Sequence, residues 1–342
     1  MTNSEPKHVT QADVAQKAGI SRSVVSYVIN NGPRTVSNET RKRVLEAIEA
    51  LNYRPNKYAQ RLIQEKWGSV AEKQIGIVMS SGVLFERPYY GAILAGIQES
   101  AHNHHYHIRF IRVFESFKNP VLLNQLVDKN EISGLLLLSL DQVLESESDF
   151  RLLEHIVQRV DNIVCIDWEY KNLSSVNFDR YTAAYKATSH LLNLGHRSIA
   201  YIGPDDKRIH GFQAALSEHG LESYIAGLTD TAQGGYQKAE VDSLATFSAL
   251  VAGTDEVAFG ILKYCKDKAL DVPKDMALVS IDNIALSAFA NPPLTTIDVP
   301  QKAIGERAIQ MLIKGNENTA QNVMLPIELI IRESCGSKLP LD

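Results

Sequence analysis

The chain has 342 residues, 44% of them apolar and 22% charged, with a formal net charge of −5; this is the composition of a folded globular protein of two or three domains and not of a disordered chain. Its longest apolar stretch, Ile132 to Leu140, falls well short of the roughly 18 to 20 residues that span a bilayer, and Met1 to His8 lacks the apolar core of a secretory signal, so a cytoplasmic protein with no membrane partner is expected. Cys165, Cys265 and Cys335 stand far apart with no C-x-x-C pair, which argues against a disulfide framework or a cysteine metal site.

Charge divides the chain. Residues 1–66 hold 11 Lys and Arg against 6 Asp and Glu, which leaves 24 against 34 for the rest. A basic head on an acidic body points to a polyanion-binding module joined to something else.

In the head, Thr10 is placed as an N-cap with Asp13 at N3, followed by an apolar stripe of Val14, Ala15 and Ala18 and a stop at Gly19. Ser21 caps a second helix, Arg22 to Asn30, after a turn of a few residues, which is the helix-turn-helix arrangement. Val25, Val28 and Ile29 face inward at i, i+3 and i+4; Arg22, Ser23, Ser26 and Tyr27 face outward, where such a helix meets base edges in a major groove. A third helix follows Ser37, with Val44, Ile48 and Leu51 completing a three-helix core and Arg41, Lys42 and Arg43 on its polar face. After Pro55 only a short basic helix can form, too short to be stable alone.

These residues, with fixed spacings from Val9-Thr10 through Ala18-Gly19-Ile20-Ser21, Val25-Ser26, Asn30, Val36-Ser37 and Leu51-Asn52-Tyr53-Arg54-Pro55-Asn56 to Ala59 and Leu62, closely resemble the head of LacI/GalR-family transcription regulators. The resemblance implies a homodimer on a near-palindromic double-stranded DNA operator, contacted through Thr10, Ser21, Arg22, Ser23, Ser26, Tyr27 and Asn30. It also implies a hinge helix at 56–66 that orders on DNA through Asn56, Ala59 and Leu62, with Leu62 as a minor-groove wedge. Val24 stands where the family usually has a phosphate-contacting Thr.

From Gln74 onward, short apolar runs alternate with amphipathic stretches. Strands are read at Ile75 to Met79, Ile108 to Val113, Leu135 to Leu138 and Ile163 to Ile166, and helices at Tyr90 to Ala101, Val121 to Lys129 and Phe150 to Val160. The alternation restarts near Val176, with strands at 199–202, 248–251 and 278–281 and helices near 181–194, 208–219, 235–245 and 255–268. Two α/β lobes with parallel sheets follow, and ligands of such sheets bind at the carboxyl ends of strands, here the cleft between lobes. Ser80, Ser81, Asp167, Trp168, Asp179, Asp282 and Asn283 follow strands or short apolar runs, and Tyr89, Tyr90 and Arg208 stand near helix starts. Aromatic faces, carboxylates and an arginine together suit a sugar or purine. Singly, a strand-end Asp also serves as a helix cap and the aromatics as core.

The resemblance continues to about Cys335 through Leu194-Gly195-His196-Arg197, Arg208 to Phe212, Val272-Pro273, Pro293-Leu294-Thr295-Thr296 and Arg332-Glu333-Ser334-Cys335. It implies two Rossmann-like lobes of the type I periplasmic-binding-protein-like fold, and a helix-turn-helix domain at 8–55, hinge at 56–66, linker at 67–73 and core at 74–338. Lobe 1 is then about 74–171 and 299–326, and lobe 2 about 172–298 and 327–338. By the same similarity Tyr89, Tyr90, Trp168, Asp179, Arg208, Thr254 and Asp282 bind the effector, with Thr254-Asp255 where the family commonly has Asn-Asp and Asn283 where a second Asp is common.

No nucleophile elbow, phosphate loop, H-E-x-x-H or dinucleotide fingerprint is present, so neither catalysis nor a cofactor is expected. The histidines between His102 and His107 have no companion carboxylate or cysteine and read as a solvated loop, with no metal expected. The expected function is a dimeric repressor controlled by a small polar effector, a sugar or sugar derivative. A purine corepressor or docking of a phosphorylated carrier protein are the alternatives.

Overall fold

The computed structural model describes residues 9–29, 36–51, 53, 73–129, 131–241, 244–315 and 320–337. It divides into two compact units, Met1–Ala71 and Glu72–Asp342. Asn30 and the expected hinge and linker, with Asn56, Ala59 and Leu62, lie outside the described residues.

In the first unit α1 (Gln11–Ala18), α2 (Arg22–Ile29) and α3 (Asn38–Ala50) pack three apolar stripes together. Thr10 and Asp13 form a reciprocal capping box at the start of α1: the Asp13 N–H donates to the Thr10 hydroxyl and the Thr10 N–H to the Asp13 carboxylate. Gly19, at φ 65°, ends α1 in the left-handed region that glycine adopts without strain. Val14, Val25, Val28, Val44 and Tyr53 are buried at the centre, with Ile29, Ile48 and Leu51 packed around them. Arg43, expected on the polar face of α3, instead donates to the Ala18 carbonyl at 2.5 Å. It thereby satisfies a carbonyl left open at the end of α1.

The second unit holds two six-stranded sheets. The first is built from β1 (Gln74–Met79), α4 (Pro88–Asn103), β2 (His107–Val113), α5 (Pro120–Leu126), β3 (Gly134–Leu138), α6 (Glu147–Val157), β4 (Ile163–Ile166) and β5 (Ser174–Phe178). The second contains α7 (Arg180–Asn193), β6 (Ile199–Gly203), α8 (Lys207–Ser217), β7 (Tyr224–Leu228), α9 (Ala232–Val241), β8 (Ala249–Ala252), α10 (Asp255–Asp267), β9 (Ala277–Asp282) and β10 (Thr295–Asp298). The chain then returns through α11 (Gln301–Lys314) and β11 (Asn322–Leu325) to the first sheet, and ends with β12 (Glu328–Ile330) in the second. Strand orders are β11-β5-β4-β3-β1-β2 and β12-β10-β9-β8-β6-β7, parallel throughout except for β10 against β12.

Two boundaries move from their expected places. Ser174–Phe178 pairs in parallel with β4, so the first lobe runs on to 178 and the second, expected from 172, begins only with α7. The helix expected at 235–245 begins at Ala232, because the Thr231 hydroxyl accepts the Gly234 N–H and sets the first turn earlier. α11 packs directly on α4, and the contact is close: a Cβ on Gly305 would lie 2.2 Å from the Ile93 carbonyl oxygen, and one on Gly96 2.0 Å from that of Lys302. Only glycine at both points lets the two helices meet.

Candidate functional site

The outward face of α2 carries the expected reading residues. Arg22 and Ser23 are exposed in its first turn, and Ser26 and Tyr27 are half-buried behind them. Ser21 accepts the Val24 N–H at 3.4 Å, a weak cap. The Thr10 hydroxyl is exposed but donates to Asp13 at 2.7 Å, so capping already uses its proton.

Between the two lobes lies a cleft of about 640 Å³, and all seven residues expected to hold an effector line it. Their roles differ. The Tyr89 hydroxyl donates to Asp167 at 3.2 Å, and its ring meets that of Tyr90 edge to face at 5.0 Å. Tyr90 accepts from Ser139 and from Gln142 at 3.3 and 3.1 Å. Burial pushes the Tyr90 phenol up to about 12 and raises that of Tyr89 as well, so both stay neutral donors or acceptors. Trp168 donates its indole N–H to the Leu137 carbonyl at 2.8 Å and packs in the core of the first lobe. Asp179 caps α7, taking the Thr182 N–H and hydroxyl at 3.1 and 2.6 Å. Thr254 caps α10 through the Val257 N–H at 3.1 Å. Its neighbour Asp255 is wholly buried and accepts from Ser280, Ser287, Thr296 and the Ile284 N–H, a fixed structural carboxylate.

Arg208 is buried, its Nη1 on Asp206 at 2.9 Å, while its Nε has no partner. Asn177 gives its amide protons to Trp168 and Ser175 and leaves its buried Oδ1 unpaired. Both residues line the cleft, and both unmatched atoms are buried beneath its surface. Asp282 ends β9 at φ 124°, and Asp167 follows β4 at φ 68°, so the two carboxylates from opposite lobes both stand in the strained half of conformational space. Burial first, and then the charge of Asp255, raises the Asp282 carboxyl well above its usual range.

Residues 10–56 match the model of bacterial regulatory proteins of the lacI family, and residues 188–335 match a periplasmic binding protein-like domain. Catabolite control protein A of Priestia megaterium is 30% identical over 344 residues, covering 96% of this chain and 99% of that one. The chain belongs to the lacI family. Another relative, the HTH-type transcriptional repressor PurR of Pasteurella multocida, is 29% identical over 96% of this chain and 99% of its own. Among solved structures, the lac repressor dimer bound to operator and the anti-inducer ONPF matches with a TM-score of 0.74 at 25% identity, over 96% of this chain and 99% of that one. The complex of the transcriptional regulator CelR with cellobiose matches with a TM-score of 0.66 at 25% identity, over 95% and 99%. As a lacI-family protein this chain is a DNA-binding transcriptional repressor and not an enzyme.

Sequence reading missed the basic residues that join the lobes of this lacI-family core. Arg87, at the start of α4, gives its Nε to Glu256 at 2.8 Å and its Nη atoms to the Asp230 carboxylate and carbonyl at 2.5 and 2.7 Å. Arg180, the first residue of α7, binds Asp167 at 2.5 Å and lies 3.4 Å from Asp206. The Arg180 and Arg208 guanidinium carbons lie 5.0 and 5.6 Å from the centre of the Phe178 ring. A signal was available: Arg87, Arg180, Lys207 and Arg208 all stand at the cap or first turn of a helix, where the dipole disfavours a cation. Such a placement needs a compensating carboxylate, and therefore a site.

Proposed function

We propose that this repressor binds its operator as a homodimer and that a small polar effector of the carbohydrate class, seated between the lobes, controls its operator affinity. One observation carries the effector reading: the cleft brings Tyr89, Tyr90 and Arg208 together with Asp282, a buried carboxylate to which no described residue donates a hydrogen bond. A buried polar atom without a partner costs free energy. A hydroxylated ring supplies the missing donor and an apolar face to set against the aromatic residues. CelR, solved with cellobiose, supports the same class, and about 640 Å³ is ample for a disaccharide.

The bridges across the cleft support a mechanism for that control. Arg87 of the first lobe holds Asp230 and Glu256 of the second, and Arg180 holds Asp167 of the first lobe beside Asp206 of the second. A ligand that fills the cleft stabilises the closed arrangement of these pairs. Closure alters how the paired heads are presented to DNA, so effector and operator affinities are reciprocally coupled, typically by about 1–3 kcal/mol.

The test is a thermal-shift panel of sugars and purines on the protein and on Arg208→Ala, followed by operator binding with each compound that registers. A sugar whose shift disappears in Arg208→Ala and which changes operator affinity supports the reading. Stabilisation by purines alone, or a shift that survives in Arg208→Ala, refutes it.

A further inference from the structure

Resting on the carbohydrate reading above, we infer that the effector carries a protonated amine, an amino sugar and not a sugar phosphate, with Asp282 as the counter-charge of its ammonium group. Eight carboxylates and only four cations line the cleft. The buried cations are paired: Arg87 with Asp230 and Glu256, Arg180 with Asp167 and Asp206, and Arg208 through its Nη1 with Asp206, its unmatched Nε lying beneath the cleft surface. Lys207, the fourth, is exposed. The positive ends of α7 and α8, which would otherwise attract an anion, are already occupied by their own caps Asp179 and Asp206. A phosphate ester entering this cleft would have to break those pairs and sit among the surplus carboxylates, a like-charge contact that discriminates against it.

Among the carboxylates Asp282 stands apart. Asp167 accepts from Tyr89, Ser139 and Arg180, Asp179 from Thr182, and Asp206 from the Arg208 N–H and Nη1 while pairing with Arg180 at 3.4 Å. Asp282 is only 4% exposed, yet among the described residues no group donates a hydrogen bond to its carboxylate. Its carbonyl, by contrast, is engaged by the Gln301 amide and the Val299 N–H. Its backbone holds φ at 124°, which keeps this carboxylate at the end of β9 facing the cleft. A buried carboxylate is normally paired; here the protein supplies no donor. An ammonium group brings both the opposite charge and three N–H donors, with no acceptor for the neighbouring arginines to contest. A neutral hydroxyl offers one donor and no charge.

The experiment titrates the full-length protein calorimetrically, at millimolar concentration, with matched sets: glucose, glucosamine and glucose 6-phosphate; galactose, galactosamine and galactose 6-phosphate; cellobiose and its diamino counterpart, the chitosan disaccharide. The expected result is that within the best-binding set the amino member binds about tenfold tighter than its neutral parent, and that Asp282→Asn removes this preference, read as the ratio of the two affinities within that set. A phosphate ester or neutral sugar that outranks the amino member, a preference unchanged in Asp282→Asn, or the absence of binding by every amino member overturns the inference. Operator binding measured alongside separates the two readings: a neutral or phosphorylated sugar that changes operator affinity sinks the amine and spares carbohydrate control.

Discussion

Replacing Arg87 with Gln should weaken effector binding by about 1–3 kcal/mol, and the figure follows from where its bonds go. The side chain is 11% exposed and makes charge-assisted bonds to Glu256 and Asp230, whose side chains are 21% and 46% exposed. Breaking a fully buried pair costs about 3–5 kcal/mol and an exposed one about 0–1. Arg87 itself is desolvated, but both partners can rehydrate once it is gone, so the loss falls between those limits. Because the bridge joins α4 of the first lobe to the segment before α9 and the first turn of α10 in the second, the loss enters the open–closed equilibrium directly. At about 1.4 kcal/mol per tenfold, effector affinity should fall roughly 5- to 150-fold. Titration calorimetry with the best carbohydrate of the panel, repeated for Glu256→Gln and the double variant, reads this, and the two single effects should not add. Small-angle scattering of Arg87→Gln should show a wider cleft. An affinity within twofold of the parent, or strictly additive variants, would falsify the claim that this pair holds the lobes closed.

Three other outcomes follow from the same structure. Arg22→Ala should relax base preference by about 1–3 kcal/mol at one position of each half-site, read by selection from a randomised operator, and an unchanged consensus would remove Arg22 from the reading set. Asp282→Asn should stabilise the protein at neutral pH. The carboxyl is raised in the folded state, so the folded form binds more protons than the unfolded one above the ordinary Asp range, and wild-type stability falls as pH rises through that window. The gain in melting temperature should therefore grow from about pH 4 upward, and a gain that is flat with pH would show that Asp282 is not desolvated. Gly305→Val should lower the melting temperature, because its side chain would meet the Ile93 carbonyl and Ile97 N–H of α4, which cannot give way. Overpacking of this kind costs about 1–3 kcal/mol, roughly 2–4 °C for each kcal/mol in a domain of this size; an unchanged melting curve would mean that α4 and α11 separate readily.

The helical head and the central strands were legible because each rule agreed with the next. Thr10, Asp13 and Gly19 cap a stripe of Val14, Ala15 and Ala18, and β3 and β4 are continuous apolar runs buried on both faces. The edges were not. β7 is half exposed and contains Gly227, so no apolar run marks it, and β11 alternates exposed and half-buried residues at the sheet margin. Ser174–Phe178 was assigned to the wrong lobe because its polar Ser174, Ser175 and Asn177 hide a fully buried strand. In the cleft the strand-end and helix-start rules located six of the seven residues and the family resemblance Thr254, but not what each does. Asp179 and Thr254 are helix caps and Trp168 is largely core, which periodicity cannot separate from ligand contact. Arg87 and Arg180 escaped because their partners lie 143, 169, 13 and 26 residues away in the chain. Only the fold brings those charges together.

The charges at the cleft also bear on the proposed control by a small ligand. Arg87 and Arg180 join the two lobes through ion pairs, while the Asp282 carboxyl on the second is raised by burial first and then by Asp255. Asp167 and Asp282 are both held in strained backbone, at about 1–3 kcal/mol each, so neither reached this position by default. If the protein samples open and closed forms, a ligand shifts that balance only by its differential affinity for the two. On the proposed reading, a group that pairs with Asp282 across the cleft while Arg87 and Arg180 hold the lobes together binds the closed form better than the open one, and that difference in affinity is what would couple effector to operator.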